Sequence, residues 1–368
     1  MRKLASVQLI EALFPIEGAD RIETAQVQGW YCVVKKGEFN VGDKCVYFEI
    51  DSILPETEWS EFMRPRKFRV KTAKFKKQIA QGLALPGETI GIQINHLPPG
   101  YDVTEALSVR KHDPEGDREA RIAATQTPKK YPWYTKLSWG MKLYRWLHPK
   151  RGGWPDWLRK TDETRIQNIA NLSKFIEGRS LYATEKLDGQ SITVYFNLKE
   201  KSSPFSPPGV GGVCSRNIHY HKPVANAWWN IVSNHGILEA LENCCRSEGR
   251  SLAIQGELCG PGIRDNKYKF KEARVYWFNV WDIDKQQYLS LFDKLKVLDQ
   301  CGLLHVPFVC NQSEDWPTDR EGFLEWANGQ TMIEMNPCIR EGIVIRDLRD
   351  DGFSFKAISN DWLLKYES

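Results

Sequence analysis

The sequence predicts an α+β protein in which an antiparallel C-terminal domain follows an all-β N-terminal module. Short β-rich runs separated by turn residues occupy the first hundred residues, a spacing typical of a small barrel or sandwich. Strand and helix patterns then mix without the regular βαβ rhythm of a doubly wound sheet. With 368 residues, the chain is long enough for two or three domains with cores of their own.

The β-rich runs of the N-terminal part are separated by glycine and charged residues. Residues 24–35 and 44–50 are rich in Val, Trp and Tyr, with Val41-Gly42-Asp43 between them, and further strands are predicted over 68–74 and 82–86. A five-stranded OB barrel fits this length, and the faces of such barrels commonly bind single strands or nucleic-acid backbone.

A change of composition predicts the end of this module. Pro98-Pro99-Gly100 opens the boundary and a charged run over 111–117 closes it. We therefore expect an OB-fold nucleic-acid-binding domain over 1–115, a basic, aromatic-rich linker or helical insert over 116–160, and a catalytic domain over 161–368.

Three local predictions concern the residues after the boundary. The linker is expected to form short helices broken at Pro132, Pro149 and Pro155. Residues 161–175 read as a helix with acidic residues in its first turn. Residues 201–212, rich in Pro, Ser and Gly, read as a flexible insert.

Positive charge is concentrated in two segments, although the net charge is only +4. Residues 64–77 hold eight basic residues and no acid, and residues 121–160 hold ten basic residues against Asp156 alone. Such runs favour contact with nucleic-acid phosphates. Eight Trp and Tyr residues interleave with the second run, and for them we favour core packing over base stacking.

Composition excludes some other classes of protein. No run of 18 apolar residues exists, so no membrane contact is expected. The first residues lack the apolar stretch of a secretory signal. Nine scattered cysteines without zinc spacing indicate free thiols. These features predict a cytoplasmic protein, with an organellar location left open, and they indicate no protein partner.

The pentapeptide Glu185-Lys186-Leu187-Asp188-Gly189 lies between two alternating hydrophobic runs. A lysine in this position can act as a nucleophile, and an aspartate two residues later points to the same side of an extended strand. The alternative is structural, because Asp-Gly between two strands is also a common hairpin turn.

Four later segments carry the residues that a phosphoryl-transfer pocket requires. Glu257 and Glu341 are single carboxylates inside apolar runs, where burial is costly unless the charge is paired or bound to a metal. With Asp188 they form a trio suited to a hard divalent cation through waters. Lys356 is a candidate clamp for a transferring phosphate, and residues 276–281 offer aromatic faces for a base.

The order of these segments resembles the covalent nucleotidyltransferase superfamily of polynucleotide ligases and mRNA-capping guanylyltransferases. The matching segments are motif I, Lys186-Leu187-Asp188-Gly189; motif Ia, Ser215-Arg216-Asn217; motif III, Gly256-Glu257; motif IIIa, Tyr276-Trp277-Phe278-Asn279; motif IV, Glu341-Gly342; and motif V, Phe355-Lys356. The OB-like module stands first in the chain, and the chain is therefore most similar to ATP-dependent RNA nick-sealing ligases with an N-terminal OB module.

The resemblance implies a three-step reaction. Lys186 attacks the α-phosphate of ATP, AMP moves to an RNA 5′-phosphate, and a 3′-OH end displaces AMP. The substrate would be RNA with 5′-phosphate and 3′-OH ends, in a nicked duplex. The N-terminal module is expected to matter for sealing and not for lysine adenylylation.

The resemblance also assigns roles to individual residues. The catalytic residues would be Lys186, Asp188, Glu257, Glu341 and Lys356. ATP would be bound by Glu185, Lys186, Gly189, Arg216, Phe278 and Lys356, with Phe278 stacked on adenine. Mg²⁺ or Mn²⁺ would be held through waters by Asp188, Glu257 and Glu341, and would disfavour the ammonium form of Lys186, which has an ordinary pKa of about 10.4.

Motif V departs from the family pattern. Many members have Lys-x-Lys there, whereas this chain has Lys356-Ala357-Ile358, so Lys356 acts alone or Lys365 assists it. The remaining alternatives are a DNA ligase, a GTP-dependent capping guanylyltransferase, and a non-catalytic nucleic-acid-binding protein.

Overall fold

Short strands, gathered in small sheets, carry most of the fold. The computed structural model describes residues 3–76, 78–113, 133–137, 139–140, 142–143, 154–201, 207–220, 226–310, 316–333 and 337–366. The predicted helix breaks at Pro132 and Pro149, and residues 202–206 of the predicted insert, lie outside the described residues.

The described part of the N-terminal module contains ten strands in four small antiparallel groups, with the orders β1-β5-β9, β2-β3-β4, β7-β8 and β10-β6. Their bounds are β1 Ala5–Leu9, β2 Ala12–Pro15, β3 Ile22–Val27, β4 Trp30–Lys35, β5 Lys44–Phe48, β6 Ser52–Ile53, β7 Ala73–Phe75, β8 Gln78–Ala80, β9 Leu83–Leu85 and β10 Arg110–Lys111. A 3₁₀ helix covers Glu58–Arg66 and α1 covers Gly87–Ile90.

Two apolar clusters fill this module. One joins Val46 and Phe48 of β5 to residues of β1 and β9, and the other surrounds Trp30 and Tyr47. Because successive side chains of β5 point to opposite faces, this strand supplies both clusters.

The C-terminal domain, where it is described, is built on two sheets. The first is five-stranded, with the order β11-β21-β20-β12-β19, and the second is six-stranded, with the order β15-β14-β13-β16-β17-β18. The bounds are β11 Thr164–Arg165, β12 Leu181–Lys186, β13 Gln190–Asn197, β14 Val210–Cys214, β15 His219–Tyr220, β16 Leu252–Cys259, β17 Arg274–Asp282, β18 Gln287–Tyr288, β19 Phe308–Cys310, β20 Gly342–Asp347 and β21 Ser354–Ile358.

Helices complete the domain. Their bounds are α2 Leu172–Ile176, α3 Ala227–Asn234, α4 Ile237–Glu248, α5 Leu291–Gln300, α6 Arg320–Ala327 and α7 Asn360–Tyr366, and 3₁₀ helices cover Trp133–Lys136 and Ile166–Asn168. Residues of α3, α4 and α5 pack on the six-stranded sheet, while α6 packs against β20 and β21. The prediction of an α+β domain is confirmed, and its named strands are antiparallel except that β11 runs parallel to β21.

The predicted helix over 161–175 is wrong. Thr164 and Arg165 form β11, which pairs with Phe355 and Lys356 of β21, and only Leu172–Ile176 is α-helical. Tertiary pairing with a strand edge overrides the local helix signal. The side chain of Asn171 caps this short helix by accepting from the Lys174 N–H at 3.0 Å.

Other predicted bounds also shift. Residues 24–35 form the hairpin β3–β4 and not one strand, and 68–74 contribute only the start of β7. Residues 210–212 of the predicted flexible insert belong to β14. The packing prediction for the linker aromatics holds for Trp154 and Trp157, which pack with Tyr195 and Trp281 of the six-stranded sheet. It is wrong for Trp133 and Trp139, which are 76% and 55% exposed.

The N-terminal module docks onto the segment that follows β11. The Gly29 N–H donates to the Gln167 carbonyl at 3.2 Å, and the Trp30 indole donates to Asn168 Oδ1 at 2.6 Å. A Cβ at Gly29 would lie 2.8 Å from the Gln167 Cα and carbonyl oxygen, so this close approach requires glycine.

Within the described ranges, no helix combines the length and apolar character needed to cross a membrane.

Candidate active site

One pocket between the two sheets brings together every site residue predicted from the sequence. Its walls come from β12, β20 and β21 of the five-stranded sheet and from β13, β16 and β17 of the six-stranded sheet. The nine predicted residues that line it are Glu185, Lys186, Asp188, Gly189, Arg216, Glu257, Phe278, Glu341 and Lys356.

The pentapeptide at 185–189 carries the chain from one sheet to the other. Strand β12 pairs with β19 and β20, whereas β13 pairs with β14 and β16. The two strands that flank Asp188-Gly189 therefore do not pair, and the hairpin alternative is wrong. A Cβ at Gly189 would lie 2.4 Å from the Leu258 carbonyl oxygen, so only glycine lets the crossing pass this close to β16.

Lys186 ends β12 with its ammonium against a carboxylate. Its Nζ lies 2.6 Å from Glu341 Oε2, and the register sets Lys186 opposite Gly342 of β20. Burial lowers the pKa of Lys186, but the Glu341, Glu257 and Asp188 carboxylates together outweigh burial and raise it. The amine is consequently held protonated until this negative charge is offset.

Glu257 faces the same space from β16. Its Oε1 accepts the Gly189 N–H at 3.0 Å, which fixes the carboxylate against the crossing. Burial, together with the nearby Glu341 and Asp188 carboxylates, raises the pKa of Glu257 to about 8, although Lys186 opposes the shift. The pocket thus concentrates more negative charge than Lys186 alone can balance.

Asp188 is engaged by two cations from the segment between β16 and β17. Its Oδ1 accepts from Arg264 Nη1 at 2.8 Å, and its Oδ2 pairs with Lys267. Its main-chain N–H donates to the Tyr268 hydroxyl at 2.9 Å. The carboxylate therefore joins the segment 264–268 to the loop that follows Lys186.

The carboxylates fit a hydrated metal ion better than a directly ligated one. Within the described residues, no three Asp, Glu, His or Cys side chains stand close enough to ligate one metal. Glu257 nevertheless carries a carboxyl whose pKa is raised by burial and by two acidic neighbours, which is the electrostatic condition that a divalent cation relieves. Water-mediated contact through Glu257, Glu341 and Asp188 is compatible with both observations.

Phe278 and Arg346 line the aromatic side of the pocket. The Arg346 guanidinium carbon lies 5.7 Å from the centre of the Phe278 ring, and its Nη1 donates to Thr184 Oγ1 at 3.1 Å. Its Nη2 lies 3.5 Å from a Glu163 carboxylate oxygen. This arrangement leaves one face of Phe278 against a cation, as in a cation–π contact.

Lys356 reaches the pocket from β21 beside two acids that precede β11. Its Nζ lies 3.5 Å from Asp162 Oδ1. Burial lowers the pKa of Lys356 to about 8, although the nearby Glu163 and Asp162 carboxylates act in the opposite direction. Lys365, the other lysine considered for motif V, is exposed on α7 and does not line the pocket.

The remaining two predicted residues have different surroundings. The Glu185 carboxylate accepts from Thr331 Oγ1 at 2.6 Å and from the Met332 N–H at 2.7 Å. It therefore anchors the segment after α6, and burial raises its pKa despite these bonds. Arg216 is exposed in the turn between β14 and β15 and lines the pocket.

The pocket also includes residues for which the sequence predicts no role in the site. Asp162 and Glu163 belong to the wrongly predicted helix, and Arg264 and Arg346 carry no periodic signal of function. They enter the pocket through pairing of β11 with β21 and through the loop held by Asp188. The further lining residues are Thr161, Thr184, Leu187, Ser191, Val306 and Val344.

Comparison with known proteins gives consistent matches. An OB-fold domain model matches residues 4–87, and an RNA ligase model matches residues 179–358. No curated protein matches the chain. These family matches confirm the predicted OB fold of the N-terminal module and the predicted nucleotidyltransferase fold of the C-terminal domain.

Solved structures of an RNA ligase from Naegleria gruberi are similar over the whole chain. A mutant with ATP and Mn is 33% identical, with 100% of both chains covered and a TM-score of 0.77. The protein with PPi is 33% identical over 100% of this chain and 99% of that one, with a TM-score of 0.77. A mutant with AMP and Mn is 32% identical over the same shares, with a TM-score of 0.78.

Proposed function

The chain belongs to the RNA ligase family, as an ATP-dependent, AMP-forming enzyme that joins RNA ends, and we propose that it seals RNA ends at nicks in a duplex through AMP bonded to Lys186. One observation carries the proposal. The Lys186 amine lies in a pocket beside the carboxylates of the predicted metal trio, an aromatic ring and a second, partly buried lysine. Phosphoryl transfer needs these parts: a nucleophile, charge stabilisation and a positioned nucleotide.

In the first step, Lys186 Nζ attacks the α-phosphorus of ATP. A nitrogen–phosphorus bond forms while the bond to the pyrophosphate oxygen breaks. The proton must leave the ammonium first, and Glu341, at 2.6 Å, is the nearest carboxylate to receive or share it. In the later steps AMP passes to an RNA 5′-phosphate, and a 3′-OH displaces AMP.

The carboxylates, through a metal ion, and Lys356 would stabilise the negative charge on the transferred phosphate in this reaction. A hydrated Mg²⁺ or Mn²⁺ fits beside Glu257, Glu341 and Asp188, where it would supply positive charge toward the α-phosphate. The Naegleria structures with ATP or AMP contain Mn, which supports a divalent ion here. Lys356 and Arg216 would contact the phosphate and ribose edge, and Phe278 would stack on adenine beside Glu185 and Gly189.

The three predicted parts of the chain would have different roles in this reaction. Residues 1–115 would grip the duplex next to the nick through the basic run, residues 116–160 would join the two parts, and residues 161–368 would perform the chemistry. In the described part of the basic run, Arg66, Lys67, Lys74 and Lys76 are exposed, while Arg64 and Arg69 pair with acids.

The direct test is the covalent adduct. Purified protein incubated with labelled ATP should give a tryptic fragment that carries AMP on Lys186, and Lys186→Ala should give none. Lys285→Ala, which changes an exposed lysine in a turn of the same domain, should label normally. A labelled adduct that persists in Lys186→Ala would contradict the assignment of the nucleophile.

Two further comparisons separate the alternatives within the superfamily. Labelling with ATP and not with GTP distinguishes a ligase from a capping guanylyltransferase. Sealing of nicks with an RNA 3′-OH end and not with a DNA 3′-OH end distinguishes an RNA ligase from a DNA ligase.

A further inference from the structure

Helix α5 carries a buried lysine outside the pocket. The Lys294 side chain has 0% exposure. Its ammonium has three hydrogens to donate, and three acceptors surround it: Tyr182 Oη at 2.8 Å, the Phe278 carbonyl oxygen at 2.9 Å and Asp351 Oδ2 at 2.6 Å. A buried charge is stable only when it is paired and fully hydrogen-bonded. The three acceptors therefore fix the position of the Lys294 ammonium.

The Phe278 carbonyl belongs to an irregularity of the sheet. Between β16 and β17, Gln255 pairs with Asn279 and Gly256 pairs with Trp277. Phe278 is therefore the extra residue of a β-bulge. Bulges are common beside active sites because they turn a side chain away from the regular strand direction, and here the bulged side chain lines the pocket.

We propose that Lys294 is a positioning residue for the nucleotide: it holds the carbonyl of the Phe278 bulge and thereby aims the Phe278 ring at the adenine of ATP. The inference rests on the proposed function, in which Phe278 stacks on the base. A bulge leaves a backbone carbonyl without its ladder partner, and a buried carbonyl needs a donor. Lys294 supplies that donor.

The other two partners connect the bulge to the reacting groups. Tyr182 lies on β12, four residues before Lys186. Its hydroxyl also pairs with Asp351, in the turn between β20 and β21 that leads to Lys356. The Lys294 ammonium therefore links β17, which carries Phe278, to β12, which carries Lys186. It also bonds to the turn that leads to Lys356. This connection fixes the spacing between base and α-phosphate sites.

The competing explanation is that Lys294 and Asp351 only stabilise the contact between the two sheets. A double-mutant cycle separates the two ideas, because coupled residues give non-additive effects. The variants are Lys294→Met, Phe278→Leu and the double variant, with lysine adenylylation by ATP measured in the absence of RNA. Lys296→Met, at an exposed lysine of the same helix, is the matched control.

The expected result is a selective loss of nucleotide binding. Lys294→Met should raise the KM for ATP about tenfold, the scale of removing one base–aromatic stack, and leave kcat within about threefold. In the Phe278→Leu background, the same change should raise KM less than about twofold. Lys296→Met should match the unmodified protein. Equal factors in both backgrounds, or a loss confined to kcat, would overturn the proposal.

A second variant guards against misfolding. Lys294→Met leaves the Asp351 carboxylate buried without its cation, which is strongly destabilising. Lys294→Met/Asp351→Asn removes both charges and still leaves the Phe278 carbonyl without its donor, so the same rise in KM is expected. An unchanged KM in this folded variant rejects the inference. An unchanged KM in Phe278→Leu rejects the stacking role itself, and no adduct in the unmodified protein rejects the proposed function.

Discussion

At the scale of single residues, the positive charges of lysines and the negative charges of carboxylates set the protonation states in the pocket. Glu341 holds the Lys186 ammonium at 2.6 Å, and burial with acidic neighbours raises the pKa of Glu257 to about 8. Neither group is in its reactive protonation state at neutral pH without a further charge. In the proposed function, binding of the metal and nucleotide would therefore be coupled to proton release.

Glu257 can be tested with a substitution that keeps its shape. Glu257→Gln should retain the hydrogen bond from the Gly189 N–H but remove the negative charge. We expect lysine adenylylation to fall by about a hundredfold or more, since a charge-stabilising group at a reacting phosphate is worth about that much. When Mn²⁺ is titrated, the rate of lysine adenylylation in this variant should depend less on the Mn²⁺ concentration than in the unmodified protein. Near-normal labelling at low Mn²⁺ would mean that Glu257 is structural.

Lys356 gives a prediction about pH. Burial lowers its pKa to about 8, so the ammonium loses its proton as the pH rises through this value. If its charge binds the phosphate, kcat/KM for ATP in lysine adenylylation should fall above about pH 8, because kcat/KM reports the free enzyme. Lys356→Arg stays charged and should move this fall to higher pH. An identical alkaline limb in both proteins would show that Lys356 does not cause it.

At the scale of elements, the site depends on where strands cross and pair. The nine predicted site residues could be read from the sequence because each lies in a short motif with its own local pattern. Asp162, Glu163 and Arg346 could not, because their place depends on pairing between β11 and β21 and on the fold of β20. The helix prediction for 161–175 is wrong for the same reason. The charge pattern is typical of a helix, but Thr164 and Arg165 pair with β21 instead.

Gly189 tests the crossing between the sheets. Gly189→Ala would place a Cβ 2.4 Å from the Leu258 carbonyl oxygen, so the backbone next to Lys186 must shift. We expect lysine adenylylation to fall at least about tenfold, as for other small displacements of reacting groups. Gly178→Ala is the control, because it strains a left-handed glycine (φ 70°) with no atom within 4 Å. Equal activity losses in both variants would indicate general destabilisation instead.

At the scale of the whole molecule, the N-terminal module and the catalytic domain meet beside motif V. Trp30 and Gly29 bond to residues 167–168, and Arg165, paired with Lys356 across the strands, lies 3.7 Å from Asp51 of the module. Deletion of residues 1–115 would thus uncover a segment next to the pocket as well as remove the basic run. Point substitutions on the exposed face test the role of the module more cleanly.

The basic run provides such substitutions at Arg66 and Lys74, which are both exposed. In Arg66→Ala/Lys74→Ala, binding of the adenylylated protein to nicked RNA should weaken. The slope of log affinity against log salt should become shallower by about 0.9 for each phosphate that the protein no longer neutralises. Lysine adenylylation should stay unchanged, because that step needs no RNA. Lys285→Ala should alter neither quantity. An unchanged salt slope in the double variant would mean that the RNA lies elsewhere, since a protein that neutralises fewer phosphates must release fewer counterions.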